Sequence, residues 1–183
     1  MSEGLNAAAS GAPRAAQGNI LVADDGLLPI AATFEPALLA LNNAHAVELS
    51  WLDDARLKLL VRQAFYARRI GEVDAFLLAL DETAIYDSPN YLWFRQRYPR
   101  FVYVDRVAVA SPARGRGHAR RLYADLFRRA ITAGHDTVLC EINVEPPNPA
   151  SDALHAALGF AEVGKAAIHD GKKTVRYFAR TLP

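Results

Sequence analysis

The chain has 183 residues, of which 51% are hydrophobic and 22% charged, a balance typical of one compact globular domain. Its formal net charge of +1 excludes a global electrostatic attraction to nucleic acid. A single cysteine, Cys140, excludes an internal disulfide and favours a reducing compartment.

The first residues differ in composition from the rest of the chain. Residues 1–18 are rich in Ala, Gly and Ser without hydrophobic periodicity, so we predict a disordered tail followed by one domain over residues 19–183. The basic start and apolar core of a signal peptide are missing, and no run approaches the ~20 apolar residues that span a bilayer. The sequence therefore predicts a cytoplasmic protein that does not bind a membrane.

Periodicity and turn residues predict helices and strands before residue 81. In chain order these are a strand within 20–33, helices over 35–43 and 53–63, and strands over 65–70 and 73–80. Gly71-Glu72 lies between the last two apolar runs, which indicates a hairpin.

A long connection, Asp81–Arg100, follows this hairpin and mixes aromatic with short polar side chains. Two interpretations stay open: the segment lines a pocket, or it is a lid that covers one end of the sheet. If it lines a pocket, the candidate substrate-binding residues are Tyr86, Asp87, Asn90, Tyr91 and Trp93, and Asn143 on a later strand is a further candidate.

The second half alternates strands and helices more clearly. The predicted elements are a strand over 101–109, a helix over 117–133, a strand over 137–144, a helix over 148–158 and hairpin strands over 160–168 and 174–181. This order predicts a mixed α/β sheet. The final hairpin is expected to turn at Asp170-Gly171.

The junction between strand 101–109 and helix 117–133 carries the strongest chemical signal. Its sequence is Arg114-Gly115-Arg116-Gly117-His118-Ala119. Glycines at a helix N-terminus let backbone N–H groups approach an anion, and arginines add forked donors suited to phosphate. A Walker loop would need Lys and then Ser or Thr where this chain has His and Ala, and a dinucleotide fold would need a third glycine. The residues alone leave two interpretations, a pyrophosphate loop or an exposed turn without a ligand.

Two segments resemble the GNAT superfamily of N-acetyltransferases. The run Val107–Ala119 is similar to its CoA-binding segment, which has the pattern Gln/Arg-x-x-Gly-x-Gly/Ala after a hydrophobic strand. Asn148–Phe160 is similar to its Asn…Tyr…Gly-Phe helix. The resemblance covers about Leu27–Leu182 and is carried by Phe101–Phe160. It implies an α/β fold with a mixed, mostly antiparallel central sheet, a V-shaped splay between the two central strands and about four flanking helices.

The same resemblance implies acetyl-CoA as co-substrate, and no His/Cys/Asp/Glu cluster has metal-ligand spacing. The pantetheine arm would lie in the splay along Val107, Ala108 and Val109, and Asn148 would help to hold it. The pyrophosphate would bind Arg114, Gly115, Arg116, Gly117, His118 and Ala119, with Arg120 reaching a phosphate.

One position departs from the superfamily pattern. The family often places Tyr five residues before the Phe of Gly-Phe, where its phenol protonates the leaving thiolate, and this chain has His155 there. Imidazole titrates near neutrality and could donate this proton beside the cofactor. The alternative is a helix histidine that only fills space, and this departure puts the leaving-group acid in doubt but not CoA binding.

A general base is expected in the cleft, because an amine must be neutral before it attacks. Asp105 lies on the central strand, and Glu141 lies beside Asn143 on the polar face of the next strand. Asp105 could instead pair with Arg106 or a loop arginine, and Glu141 could hydrogen-bond the loop at 87–90. Ordered water could also replace a dedicated base. An acyl-cysteine at Cys140 is disfavoured, since that residue lies on the apolar face of its strand.

The leading functional hypothesis is transfer of an acetyl group to a primary amine of a small molecule, peptide or protein, by direct attack in a ternary complex. The alternative is a non-catalytic module that senses acyl-CoA. Nucleic-acid binding is disfavoured, since the arginines of helix 117–133 lack base-contacting polar neighbours. The acceptor and the oligomeric state, for which a homodimer is one arrangement, stay open.

Overall fold

A computed structural model describes residues 1, 26–31, 35–168, 171 and 173–183. The predicted tail, apart from Met1, and residue 170 of the predicted hairpin turn lie outside the described residues. The strands are β1 (Leu27–Pro29), β2 (Tyr66–Ile70), β3 (Ala75–Asp81), β4 (Val102–Val109), β5 (Thr137–Asn143), β6 (Ala161–Ile168) and β7 (Lys173–Thr181). The helices are α1 (Glu35–Ala44), α2 (Ala46–Leu49), α3 (Asp54–Gln63), α4 (Pro89–Arg95), α5 (His118–Thr132) and α6 (Pro149–Ala157), with a 3₁₀ turn at Ser111–Ala113.

All seven strands form one sheet in the order β1-β2-β3-β4-β5-β7-β6. Among the strands of the described residues, β4 and β5 alone pair in parallel, so the predicted mixed and mostly antiparallel sheet is confirmed. Six helices are described where about four were expected. The extra ones are the short α2 and α4, and α4 corrects the prediction that 81–100 is only a connection.

A β-bulge interrupts the pairing of β3 with β4. Leu78 of β3 is paired with Arg106, but its neighbour Ala79 is paired with Val104, so Asp105 is the extra residue on β4. A bulge bends its strand and increases the local twist. The parallel pairing of β4 with β5 ends at Tyr103 and Leu139. Beyond this point the strands diverge, which is the predicted V-shaped splay.

Two apolar layers cover the two faces of the sheet. One face packs against α1, α3 and α4 through side chains such as Leu38, Leu57 and Phe94, all fully buried. The other face packs against the stripe of α5 that contains Leu122 and Leu126. Burial of each such side chain contributes about 1.5–3 kcal/mol. The layers hold the splayed strands in place from both sides.

Local sequence explains where the helices beside the splay begin. Gly117 lies at the N-cap of α5 with a φ of 78°, a left-handed conformation that glycine adopts without a Cβ penalty. Asn148 caps α6 by accepting a hydrogen bond from Ser151 N over 3.1 Å. Pro149 follows at the first helical position, where it costs no hydrogen bond.

Candidate active site

A cavity of about 920 Å³ fills the splay between β4 and β5. Its walls come from both strands, from the N-terminal ends of α5 and α6, and from the segments around α2 and α4. Most of the predicted site residues lie on its wall: Tyr86, Asp87, Asn90, Asp105, Val107, Ala108, Val109, Arg114, Gly115, Gly117, His118, Ala119, Arg120, Glu141, Asn143, Asn148 and His155. Residues distant in sequence therefore meet around one cavity.

Three predicted site residues lie elsewhere. Arg116 is exposed on the loop and does not line the cavity. Tyr91 is fully buried, with its hydroxyl 2.8 Å from Asp81 O and 3.1 Å from Ala84 O. Trp93 stacks on Tyr177 with ring centroids 4.1 Å apart. The two aromatic residues hold α4 against the sheet, which is a packing role.

The loop from Arg114 to Gly117 forms the donor half of the cavity. Gly115 and Gly117 have φ values of 76° and 78°, and a Cβ added at either would meet nothing within 4 Å. The backbone is therefore open to a ligand in front of the N-terminus of α5, where free N–H groups and the helix dipole attract an anion. Arg114 and Arg120 are exposed beside it, available to oxyanions.

His155 is buried at the boundary of the donor half, and both of its ring nitrogens have partners. Nδ1 lies 2.8 Å from the carbonyl oxygen of Ser151, and Nε2 lies 2.7 Å from the hydroxyl of Tyr123. Burial lowers the pKa of His155, so the neutral ring predominates at neutral pH. In that form Nδ1–H donates to Ser151, and Nε2 accepts from the phenol.

Glu141 lies in the other half of the cavity, which is formed by α2, α4 and the facing parts of β4, β5 and β7 and is called the acceptor half after the substrate-binding residues predicted there. Its Oε1 accepts a 2.8 Å hydrogen bond from Asn90 Nδ2, and Tyr177 donates in turn to Asn90 Oδ1 over 3.1 Å. Oε2 is buried and has no hydrogen-bond partner among the residues described by the structure. Burial, helped by the charge of Asp105, raises the pKa of Glu141 to about 7. A carboxylate that titrates at neutrality is suited to proton transfer.

Asp105 lies beside Arg106, and this buried pair organises the roof of the cavity. Arg106 Nε lies 3.0 Å from Asp105 Oδ2. Its Nη1 donates to Leu49 O over 2.6 Å and to Ser50 O over 3.1 Å, at the C-terminal end of α2. Asp105 therefore forms an ion pair with Arg106, which is one of the two interpretations of this residue given from the sequence.

Asn143 and Cys140 have structural contacts next to the cavity. Asn143 Nδ2 lies 3.2 Å from Glu48 O, so it fixes α2 from the β5 side. Cys140 is buried and its pKa is raised by that burial, which disfavours the thiolate needed for an acyl-cysteine. Among the described residues, no group of three His, Cys, Asp or Glu could hold a metal ion. The part of the chain that the structure describes has no helix both long and apolar enough to cross a membrane.

Sequence reasoning missed three residues of this site. Tyr123 and Lys173 were not predicted as site residues, and Arg106 was considered only as a partner of Asp105. In the sequence, a lysine at the start of a hairpin strand looks the same as a lysine exposed to solvent. Only the tertiary structure shows that it faces the same cavity as Glu141.

The sheet order, the bulged central strand and the glycine loop at the N-terminus of α5 are the features expected of a GNAT-like fold. Residues 90–160 match the model of the acetyltransferase (GNAT) family. Together with the fold, this match supports a GNAT-type acetyltransferase. A search of curated proteins found no matching relative.

Solved structures are similar in fold. Ribosomal-protein-alanine N-acetyltransferase from Brucella melitensis is 24% identical with a TM-score of 0.63, covering 85% of this chain and 99% of that chain. Ard1 from Thermoplasma volcanium is 10% identical with a TM-score of 0.68, covering 86% and 97%. Arabidopsis thaliana NAA60, solved with acetyl-CoA, is 14% identical with a TM-score of 0.66, covering 85% and 97%. At these identities the likeness shows the fold alone.

Proposed function

We propose that this protein transfers an acetyl group from acetyl-CoA to a primary amine, by direct attack of the amine on the thioester in a ternary complex. One observation carries the proposal: a buried carboxylate with a pKa near 7 shares a cavity with a glycine loop at a helix N-terminus. The first group removes a proton from an amine, and the second binds the pyrophosphate of the donor.

The donor half is suited to hold CoA at two places. The open backbone at Gly115 and Gly117, with Arg114 and Arg120 nearby, supplies donors for a pyrophosphate. The strand segment Val107–Val109 no longer pairs with β5, so its backbone groups on that side can bond the amides of a pantetheine arm. The structure of NAA60 with acetyl-CoA supports this choice of co-substrate.

Glu141 acts as the general base in this scheme, directly or through water. Its Oε2, which has no hydrogen-bond partner among the described residues, takes a proton from the acceptor ammonium, and the neutral nitrogen then forms a bond to the carbonyl carbon of the thioester. The nitrogen of this adduct gives a second proton to solvent water as the amide forms. When the C–S bond breaks, the sulfur leaves as a thiolate and must be protonated. Asn90 holds Glu141 through Oε1, which fixes the carboxylate at the cavity wall.

The proton for the thiolate comes from the Tyr123–His155 pair. Neutral His155 presents a lone pair at Nε2, so it cannot donate from that nitrogen while the phenol donates to it. Tyr123 carries the proton at the cavity wall, and His155 fixes the direction of its O–H bond. When His155 takes up a proton from solvent, Nε2–H donates to the phenol oxygen; the phenolic hydrogen then passes to the thiolate, and His155 returns its proton to the phenolate. The proposed acid is thus the pair rather than His155 alone.

The same contacts keep the sensor hypothesis as a second candidate. Both ring nitrogens of His155 are engaged within the protein, which would also suit a domain that binds acyl-CoA without turnover. Thiol release from acetyl-CoA with a panel of amines, beside direct measurement of CoA binding, separates the two. Release that saturates with one class of amine supports the transferase. Saturable CoA binding without release for any amine contradicts it and favours the sensor.

A further inference from the structure

Besides the exposed Glu48, two charged groups in the acceptor half have no ion-pair partner among the described residues. The other charges there are committed, since Arg56 pairs with Asp87 and Arg106 pairs with Asp105. Glu141 keeps one buried oxygen without a hydrogen bond. The remaining group is Lys173, which lines the cavity at the start of β7.

Lys173 is a half-buried cation, and this position is unfavourable for a charge without a partner. Burial lowers the pKa of its ammonium group, while the charges of Glu141 and Glu48 oppose that shift. Glu48 is exposed on the short helix α2. A partly desolvated ammonium is stabilised when an anion replaces the lost water. Lys173 therefore favours an anionic group in the cavity.

The strand register places Lys173 on the same side of the sheet as Glu141. Glu141 is paired with Tyr177 and Asn143 with Val175, and side chains alternate along a strand. Lys173 follows two and four residues away on the same face, about 13 Å along β7 from Tyr177. No nitrogen–oxygen pair between Lys173 and Glu141 lies within the 4.0 Å of a salt bridge. The two opposite charges face one cavity and leave a gap between them.

We propose that the acceptor is a small zwitterion, an amino acid whose amine meets Glu141 and whose carboxylate meets Lys173. This inference rests on the proposed acetyl transfer and names the substrate class of the same site. The ammonium of such a molecule is opposite in charge to Glu141, and its carboxylate is opposite in charge to Lys173. The N-terminus of a peptide or a protein lysine carries no carboxylate beside its amine, and would leave Lys173 buried without an anion.

The roof formed by α2 fits a small acceptor. Arg106 holds the carbonyl end of this helix from β4, and Asn143 holds it from β5. Two strands on either side of the splay therefore fix the same four-residue helix above the acceptor half. A free amino acid fits beneath a roof tied at both sides, whereas an extended peptide would need an open groove.

The test compares acceptors that differ only in the carboxylate. Thiol release from acetyl-CoA is measured with the common L-α-amino acids, with their carboxamides, and with short peptides that have a free N-terminus and an amidated C-terminus. The best amino acid should exceed its carboxamide in kcat/KM by about tenfold or more, as expected for one charge-assisted contact.

Variants of the lysine assign the preference to this residue. Lys173→Met should reduce the ratio of kcat/KM between amino acid and carboxamide by about tenfold, mainly through KM of the amino acid, and Lys173→Arg should largely preserve it. Lys165→Met is the matched control, because Lys165 is an exposed lysine of the neighbouring strand β6 outside the cavity wall. The control should leave the ratio unchanged.

Three outcomes overturn the inference in distinguishable ways. Equal use of amino acids and carboxamides, or a preference for peptides, rejects the zwitterion and leaves acetyl transfer standing. An equal loss for both acceptors in Lys173→Met shows that the lysine only supports the structure. Saturable CoA binding without thiol release for any amine rejects the proposed transfer together with its acceptor.

Discussion

The two halves of the cavity are built in different ways. The donor half is continuous in sequence, since one strand, one turn and the start of α5 lie within Val107–Arg120. It presents mainly backbone groups and exposed arginines. The acceptor half is assembled from α2, α4, β4, β5 and β7, and presents buried side chains such as Glu141 and Lys173. Backbone recognition suits a constant donor, whereas side chains from many elements allow the acceptor to vary.

The largest effect is expected in the acceptor half, at the proposed base. Glu141→Gln keeps an oxygen for the hydrogen bond from Asn90 but removes the proton acceptor, so kcat should fall by about 10²–10⁴. CoA affinity, measured by calorimetry, should stay close to that of the unchanged protein. A loss of CoA affinity as large as the loss of kcat would show that Glu141 also contributes to CoA binding.

The same residue gives the pH dependence. Because Glu141 must be ionised to act and its pKa is about 7, kcat/KM should rise with pH through neutrality and then level off. In the native protein the raised pKa favours the protonated form, so the contribution of Glu141 to stability falls as pH rises toward and through 7. Glu141→Gln should therefore melt at a higher temperature than the unchanged protein at pH 8. Its kcat/KM should no longer rise with pH through neutrality. Unaltered melting at that pH would contradict the burial of the charge.

The donor half should respond at Gly117. A valine there must adopt a φ of 78°, which costs about 1–3 kcal/mol, and its side chain enters the open space before α5. CoA affinity should fall by about tenfold or more, as each 1.4 kcal/mol is tenfold. Gly159→Val is the control, since Gly159 has a φ of 79° and equally open surroundings outside the cavity wall. If both variants reduce the affinity for CoA equally, backbone strain explains the effect, and the assignment of the loop as the CoA site is contradicted.

The boundary between the halves is tested at Tyr123 and His155. Tyr123→Phe and His155→Ala should each lower kcat by about tenfold or more, with a smaller effect on CoA affinity. The double variant should lose little more than either single one, because the two side chains act together. Tyr66→Phe removes a buried hydroxyl that contacts Leu122 O, away from the cavity, and should retain turnover. Additive losses at Tyr123 and His155 would separate their roles.

The smallest effect is expected at Asn148. Asn148→Ala removes the cap of α6 and should reduce the free energy of unfolding in urea by about 1 kcal/mol, whereas Asn148→Asp should retain it. Asn148 was also predicted to hold the cofactor arm. A loss of CoA affinity in the capped Asp variant would support that second role, and unchanged affinity would restrict Asn148 to capping.

The donor half could be predicted from sequence because its signals are local. Gly117 and Gly134 bracket α5, and the apolar run 101–109 predicted β4 to within one residue. The short helix α4 was missed, because Tyr91 and Phe94 are held by packing against the sheet rather than marked by periodicity.

The acceptor half could be predicted only in part. Glu141 was found from the alternation of β5, which needs no knowledge of other strands. The bulge at Asp105, the clamp of Arg106 on α2 and the approach of Lys173 depend on contacts between residues far apart in the chain. Such contacts leave no pattern in one sequence, because a lysine that faces a cavity and a lysine that faces solvent cannot be told apart by residue type.

The early end of the β4–β5 ladder has a consequence for the protein's motions. Backbone amides of β4 that point away from β3 have no strand to bond beyond Tyr103. A donor molecule in the splay would act as a replacement strand, and these amides should exchange hydrogen for deuterium quickly without it and slowly with it. The ligand would thus complete the sheet, so the native fold should be most rigid when a donor molecule is bound.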